Sequence, residues 1–97
     1  MNELSDQTAA LAKYQQANTL FEEGKYLEAL PVYQEALRAW DHPGIHFNTA
    51  VCLINLDRSV EAFHHLQKAM AYGEAPLGKD LYTQGKNYQR ILNQQVG

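Results

Sequence analysis

The stretch LFEEGKYLEALPVYQEALRAW, residues 20–40, decides the fold of this chain. It contains a glycine, Gly24, and two alanines, Ala29 and Ala36, among apolar residues that recur every three or four positions. That spacing is typical of helices with one buried side. Glycine between two such runs marks a helix end, because it adopts a left-handed backbone without strain. The stretch therefore predicts a turn followed by a helix whose alanines allow close packing.

The same pattern returns 33 residues later. Small and apolar residues coincide when the chain is shifted by 33, and the pairs are Ala17 and Ala50, Leu20 and Leu53, Ala29 and Ala62, Ala36 and Ala69, Pro43 and Pro76. The spacing continues at a shift of 35 into a last apolar side made of Leu81, Gly85, Tyr88 and Leu92. A helix–turn–helix unit used twice cannot bury its apolar face alone, so stacking and a capping helix are predicted.

Helical periodicity extends over the whole chain and predicts five helices, at residues 6–23, 25–39, 43–56, 59–72 and 79–94. Ser5 is placed as the N-cap of the first helix, and Gly24 as its left-handed end. Pro43 suits the first turn of the third helix. A proline inside the second helix predicts a slight bend over residues 27–31.

Composition excludes several classes of protein. The 97 residues are 45% apolar and 20% charged, with net charge −3 and no basic patch, which argues against nucleic acid or an anionic membrane as partner. No apolar run reaches the roughly 20 residues of a membrane helix, and the first residues do not resemble a secretory signal. We expect a cytoplasmic protein; a periplasmic or secreted one stays open if the chain is a fragment whose signal was removed.

The unit A-x2-LF-x2-GKY-x2-AL-x2-Y-x2-AL, residues 17–37, closely resembles the tetratricopeptide (TPR) motif. The second copy departs from it, because Asp57 stands where the family has glycine, Ser59 where it has an aromatic, and Leu66 where the first copy has Tyr33. Aspartate tolerates a left-handed backbone, so the turn can survive.

The resemblance implies an all-α fold, a right-handed α–α superhelix of about five antiparallel helices. It implies one TPR-like domain over residues 1–97, with the first repeat at about 10–42, the second at about 43–75 and a capping helix at about 79–94. The alternative that the chain is a piece of a longer protein stays open.

TPR domains as a family are scaffolds for protein–protein contact and not catalysts. The resemblance therefore implies a protein or peptide ligand in a concave groove lined by the first helix of each pair. Carried over by spacing, the groove residues are Tyr14, Asn18, Phe21, Phe47, Asn48, Val51, Asn55, Lys79, Tyr82, Thr83 and Lys86. Asparagines offer donors and acceptors to a peptide backbone, and aromatic rings offer flat apolar contact.

Some TPR domains grip a C-terminal carboxylate with lysines, an arginine and asparagines. Three of the five clamp positions are matched here, by Asn18, Asn48 and Lys79. Tyr14 and Thr83 replace the other two cations, which weakens such a clamp, although Lys86 lies one turn away. The alternative is that the two asparagines are simply polar residues on a solvated face.

The histidines give little support for a metal site. His42 and His46 are four apart and could chelate a metal if both lay on the third helix, but His42 is expected to precede it. His64 and His65 are adjacent and point about 100° apart on a helix. No HExxH motif is present. We therefore predict no metal and no cofactor, with the histidines on the surface or in inter-helix hydrogen bonds.

Two further residues are expected to be structural. Cys52 is the only cysteine and lies in an apolar run, so it is expected to fill the core. Trp40 closes the second helix and is expected to pack against the third helix or the next unit. No glycine-rich phosphate loop and no GxSxG motif are present, and we expect no enzyme.

Three functions are weighed on this basis. The first is an adaptor that binds a peptide or protein in the groove. The second is a structural or oligomerisation module that forms a homodimer or packs within a larger protein, since two repeats are few for a stable array. The third, an enzyme or metal protein, has the least support.

Overall fold

The computed structural model describes the backbone of residues 3–96 and the side chains of residues 7–94, and this part of the chain is all-α. Its six helices are α1 Glu3–Glu22, α2 Tyr26–Ala39, α3 Pro43–Asn55, α4 Ser59–Ala71, α5 Glu74–Leu77 and α6 Lys79–Val96. The five predicted helices correspond to α1–α4 and α6, and the all-α prediction is confirmed.

Two boundaries differ from the prediction. Helix α1 begins at Glu3, so Ser5 lies inside the helix and its placement as the N-cap is wrong. Helix α5 is a single turn of four residues within the segment predicted as loop, between Gly73 and Gly78, whose φ angles are 93° and 99°. A helix of one turn carries no periodicity, whereas the two glycines that isolate it were visible as turn residues.

The turns inside the two units have the same geometry. Gly24 has a φ of 76°, and Asp57, 33 residues later, is the one described non-glycine residue with positive φ, at 60°. In the first turn the amide of Lys25 donates to the carbonyl of Leu20 at 2.9 Å. In the second, Arg58 donates to Leu53 at 2.8 Å. The hydrogen bonds thus repeat with the sequence, and aspartate does adopt the left-handed backbone at this place.

Each long helix packs against its neighbour in the chain: α1 on α2, α2 on α3, α3 on α4, and α4 on α6. The repeated alanines are all fully buried, with 0% of the side chain exposed, at positions 17, 29, 36, 50, 62 and 69. Alanine brings helix axes close together because no larger side chain separates them. Burial differs within the other two pairs, since Leu20 is half-buried where Leu53 is buried, and Pro43 is buried where Pro76 is exposed.

The buried side chains form one connected cluster that runs from Ala17 in α1 to Leu92 in α6. The radius of gyration is 13.1 Å, close to the value of about 13 Å expected for a compact body of 100 residues. Pro31 is exposed on α2, which is unbroken around it, while the bend over residues 27–31 stays a prediction. None of the described helices is both long and apolar enough to cross a bilayer.

Candidate partner-binding face

Three helices meet at the side chain of Asn18. Its Oδ1 accepts a hydrogen bond from the Tyr33 hydroxyl of α2 at 2.6 Å and another from Asn48 Nδ2 of α3 at 3.0 Å. Tyr33 is fully buried, and burial raises the pKa of its hydroxyl, so it acts as a donor at all ordinary pH values. Asn18 therefore joins α1, α2 and α3, and is more than the solvated polar residue of the alternative reading.

Aromatic rings surround this junction. The ring of Tyr14 lies 6.1 Å from that of Tyr33, and the ring of Phe21 lies 6.4 Å from Tyr33 and 5.5 Å from Tyr26. Tyr14 and Phe21 are half-buried, and burial raises the pKa of the Tyr14 hydroxyl. The two aromatic groove residues predicted on α1 thus present part of a ring to solvent while the rest is held against the core.

The α3 residues of the predicted groove divide into two groups. Phe47 is only 3% exposed, and its ring packs 6.1 Å from that of Tyr88 in α6, so its assignment to an accessible groove is wrong. Phe47 lies in an apolar helix, so its position in the sequence does not show whether its side chain is buried or accessible. Asn48 and Val51 are half-buried, and Asn55 is exposed, with its Nδ2 donating to the Val51 carbonyl at 2.9 Å.

On α6 the predicted residues remain accessible. Lys79, Thr83 and Lys86 are exposed, and Tyr82 is half-buried. The ammonium group of Lys86 lies 4.8 Å above the centroid of the Tyr82 ring, a cation–π contact. Arg90 is also exposed, one turn beyond Lys86, and the resemblance-based prediction omitted it although its i+4 spacing was visible.

The structure links these helices in order. The Asn18–Asn48 hydrogen bond connects α1 with α3, and the Phe47–Tyr88 ring contact connects α3 with α6. We call the accessible residues along these three helices the candidate face: Tyr14, Asn18, Phe21, Asn48, Val51, Asn55, Lys79, Tyr82, Thr83, Lys86 and Arg90. Of the three clamp-matching residues, Asn18 and Asn48 are hydrogen-bonded to each other, whereas no hydrogen bond among the described side chains joins Lys79 to either asparagine.

A second polar cluster was not predicted from the sequence. His46 is 5% exposed; its Nε2 contacts the carboxylate of Asp41, and its Nδ1 lies 3.2 Å from Nδ1 of His65 in α4. One ring must donate and the other accept, so the two imidazoles cannot both be protonated in this contact. Burial, followed by the charges of His46 and Lys68, lowers the pKa of His65 to about 4. The Asp41 carboxyl has a lowered pKa, chiefly because it bonds to His46.

This cluster holds α3 and α4 together and offers no metal site. In the described part of the chain, no three histidine, cysteine or carboxylate groups converge as metal ligands. His42 precedes α3, as expected, and its Nδ1 accepts from the Gly44 amide at 3.0 Å as the helix cap. The prediction that His64 and His65 diverge also agrees with the coordinates, since His64 is exposed while His65 reaches His46.

The remaining candidates are structural or open to solvent. Cys52 is fully buried, and burial raises the pKa of its thiol to about 11, which agrees with a role in the core. Trp40 is half-buried with its ring 4.4 Å from that of His42. An open cavity of about 210 Å³ lies beside it, lined by Gln7, Thr8, Leu11 and Trp40. It contains no charged group that would indicate a reaction.

Comparisons with protein-family models, with curated proteins and with solved structures find no match to this chain.

Proposed function

We propose that this chain is a TPR-like adaptor domain that binds a peptide segment or helix of a partner protein along the candidate face. In this proposal the two units and α6 form a short right-handed superhelix, and α1, α3 and α6 line its concave side. The chain acts through binding and catalyses no reaction.

One observation carries the proposal: the buried alanines recur at a fixed interval in two consecutive helix pairs. An exact repeat of close-packing positions is what a stacked array of helix pairs requires, since each pair contacts only its neighbours. Such arrays expose one long face built from equivalent helices. The shared turn hydrogen bonds, Lys25 to Leu20 and Arg58 to Leu53, support the same interpretation.

The chemistry of the candidate face supports binding of a polypeptide. Half-buried rings such as Tyr14, Phe21 and Tyr82 give apolar area at little entropic cost, because core contacts already restrict them. The amide groups of Asn48 and Asn55 on α3 are accessible and can bond a peptide backbone. This mixture of rings and amides is suited to an extended, mostly polar ligand.

A selection from a random peptide library displayed on phage tests the proposal. We expect the wild-type domain to enrich a family of related peptides. The variant Asn48→Ala/Asn55→Ala/Tyr82→Ala should bind those peptides at least about tenfold more weakly, because it removes two amides and a ring from the face. Asn18 is left intact, since its loss would leave the buried Tyr33 hydroxyl without its acceptor.

A matched control alters α2 and α4 at equivalent exposed positions, Gln34→Ala and Gln67→Ala. This variant should keep wild-type affinity, and circular dichroism should show all three proteins to be equally helical. Enrichment of no peptide family, or equal weakening by the control, would contradict the proposal.

A structural or self-association module is the second candidate. Leu27 and Val60 occupy equivalent positions in the two units and are 69% and 59% exposed. Repeated exposure of an aliphatic side chain at the start of α2 and of α4 favours a contact surface on that edge. Its test is the mass of the domain in solution.

A further inference from the structure

We infer that the α6 end of the candidate face selects an acidic segment of the partner polypeptide, an inference that rests on the proposed function and specifies its ligand. The residues that carry the selection are Lys79, Lys86 and Arg90. We call these three residues the basic stripe.

The basic stripe follows from helix geometry. At 100° per residue, positions 79, 86 and 90 fall within about 40° of one another on the helix surface. All three side chains are exposed, as is Thr83, which lies about 20° outside this arc. Gly85 and Leu92, on the opposite side, are buried against the rest of the protein. The stripe therefore faces away from the core along more than three turns of α6.

The three cations have no acidic partner within the described side chains. The ion pairs there are Lys13–Glu35, Lys25–Glu23, His46–Asp41 and Arg58–Glu61. Lys86 is positioned over Tyr82, and Arg90 Nη2 donates to the neutral Asn87 Oδ1 at 3.3 Å. Helix α6 contains a single acidic residue, Asp80, although the whole chain has a net charge of −3. The positive charge is thus concentrated where it is not neutralised internally.

The internal repeat relates two residues of the stripe, Lys86 and Arg90, to the candidate face. Gly85 corresponds to Ala17 and Ala50 at the shifts of 35 and 33 noted above, so Lys86 corresponds to Asn18 and Val51. By the same shifts Arg90 corresponds to Asn55. Lys86 and Arg90 therefore continue the line of α3 residues that the face already contains, whereas Lys79 corresponds to the buried Gly44.

In the α1 part of the face, Asn18 offers a ligand donors only. Asn18 Oδ1 is occupied by Tyr33 and Asn48, which leaves the Asn18 amide with N–H groups to offer. Lysine and arginine have donors and no acceptor. A ligand rich in carboxylates and carbonyl oxygens complements such a surface, whereas a basic ligand is repelled at the α6 end. An acidic peptide segment is therefore the ligand that fits the α6 end of the face.

The random peptide selection is repeated with two charge variants to test this inference. One neutralises the stripe, Lys79→Gln/Lys86→Gln/Arg90→Gln. The other, the matched control, removes the same charge from α1, α2 and their turn, Lys13→Gln/Lys25→Gln/Arg38→Gln. All six side chains are exposed, so both proteins should fold.

We expect peptides enriched by the wild type to contain at least about twice the Asp and Glu content of the unselected library. The best of them, made as a fluorescein-labelled peptide, should bind the stripe variant about tenfold more weakly, as three solvent-exposed ion pairs together would give. The control variant should keep its affinity within about twofold. Raising NaCl from 50 to 300 mM should weaken wild-type binding more than binding to the stripe variant.

Other outcomes separate this inference from the proposed function. Enriched peptides without an acidic excess, or an equal loss in the control variant, overturn the acidic-ligand inference and leave the adaptor function standing. Enrichment of no peptide overturns both. Tighter binding of fluorescein-labelled decauridylate than of any selected peptide, lost in the stripe variant, assigns the stripe to nucleic acid and overturns the inference.

Discussion

Both ring nitrogens of His46 have partners, and this makes the α3–α4 contact sensitive to protons. The carboxylate of Asp41 occupies one nitrogen and the imidazole of His65 the other. The fold lowers the pKa of His65 from 6.5 to about 4, because burial and the charges of His46, Lys68 and His64 outweigh the opposite effect of Glu61. The folded chain therefore keeps His65 neutral where an unfolded chain would protonate it.

We predict that the free energy of unfolding falls by about 1–2 kcal/mol between pH 7.5 and pH 4.5 because of His65. A depressed histidine pKa contributes full stability above 6.5 and loses it as the pH falls toward the folded value. The whole pKa shift would correspond to about 3.5 kcal/mol at about 1.4 kcal/mol per pH unit, and the expected effect is smaller because the ring is only half-buried. Urea denaturation at the two pH values measures the change.

Over the same pH interval, the free energy of unfolding of His65→Asn should fall less than that of wild type. That of the exposed neighbour variant His64→Asn should fall nearly as much as that of wild type, because His64 contributes least to the lowered pKa of His65. The lowered pKa of His42 adds the same loss of stability at low pH to the wild type and to both variants, so it cancels when they are compared. Asp41 matters less in this range, since a lowered carboxyl pKa costs stability only as the pH falls below 3.8. If the free energy of unfolding of His65→Asn fell as much as that of wild type, the interpretation would be contradicted.

Single residues also show how far the sequence could predict the candidate site. Its accessible members could be chosen from helical spacing, since Asn48, Asn55 and Lys86 are all at least partly exposed. The two polar clusters do not follow from it. Tyr33 lies 15 residues from Asn18, and His65 lies 19 residues from His46, so their pairing depends on how helices dock. Phe47 was misplaced for the same reason, since α6 covers it.

At the scale of helices, the sequence predicted almost everything that depends on local spacing. The four helices of the two units and the long last helix were predicted within three residues at the described ends. Two glycines and Asp57 gave the turns, since few residues tolerate positive φ. The one-turn helix α5 could not be predicted, because its four residues are held by flanking glycines and tertiary contacts and not by a pattern of their own.

Helix pairing within a unit gives the next prediction. Replacing Ala62 with leucine should lower the free energy of unfolding by about 1–3 kcal/mol, because a fully buried alanine leaves no room for three more carbons between α3 and α4. Val60→Leu, two residues away at an exposed site, should change stability little. The midpoints of urea denaturation of the two variants and of the wild type measure these changes in stability. An unfolding midpoint for Ala62→Leu at or above that of wild type would mean that the units are wrongly assigned.

On the scale of the whole molecule, the exposed aliphatic side chains at the starts of α2 and α4 raise the question of whether the domain is a monomer or a dimer. Leu27 and Val60 lie at the starts of two different helices and offer a small apolar area. Stable protein interfaces bury about 800 Å² on each partner. We therefore predict that the domain sediments as a monomer of 11.0 kDa from 1 to 100 μM in analytical ultracentrifugation.

The double variant Leu27→Ser/Val60→Ser is the control for this measurement and should sediment identically to wild type. A concentration-dependent dimer in wild type that dissociates in the double variant would establish the self-association module in place of the monomeric adaptor. A dimer that persists in the double variant would place the contact on another surface and would equally contradict the expected monomer.

The lone thiol of Cys52 has a practical consequence. Fully enclosed and with a pKa near 11, it is almost never a thiolate at neutral pH in the closed protein, whereas an opened chain exposes an ordinary cysteine. The rate at which a thiol reagent labels the chain therefore counts opening events of α3, without any engineered probe. Since one core connects α1 to α6, a lower labelling rate in the presence of a bound partner would show that the partner slows opening of the entire domain.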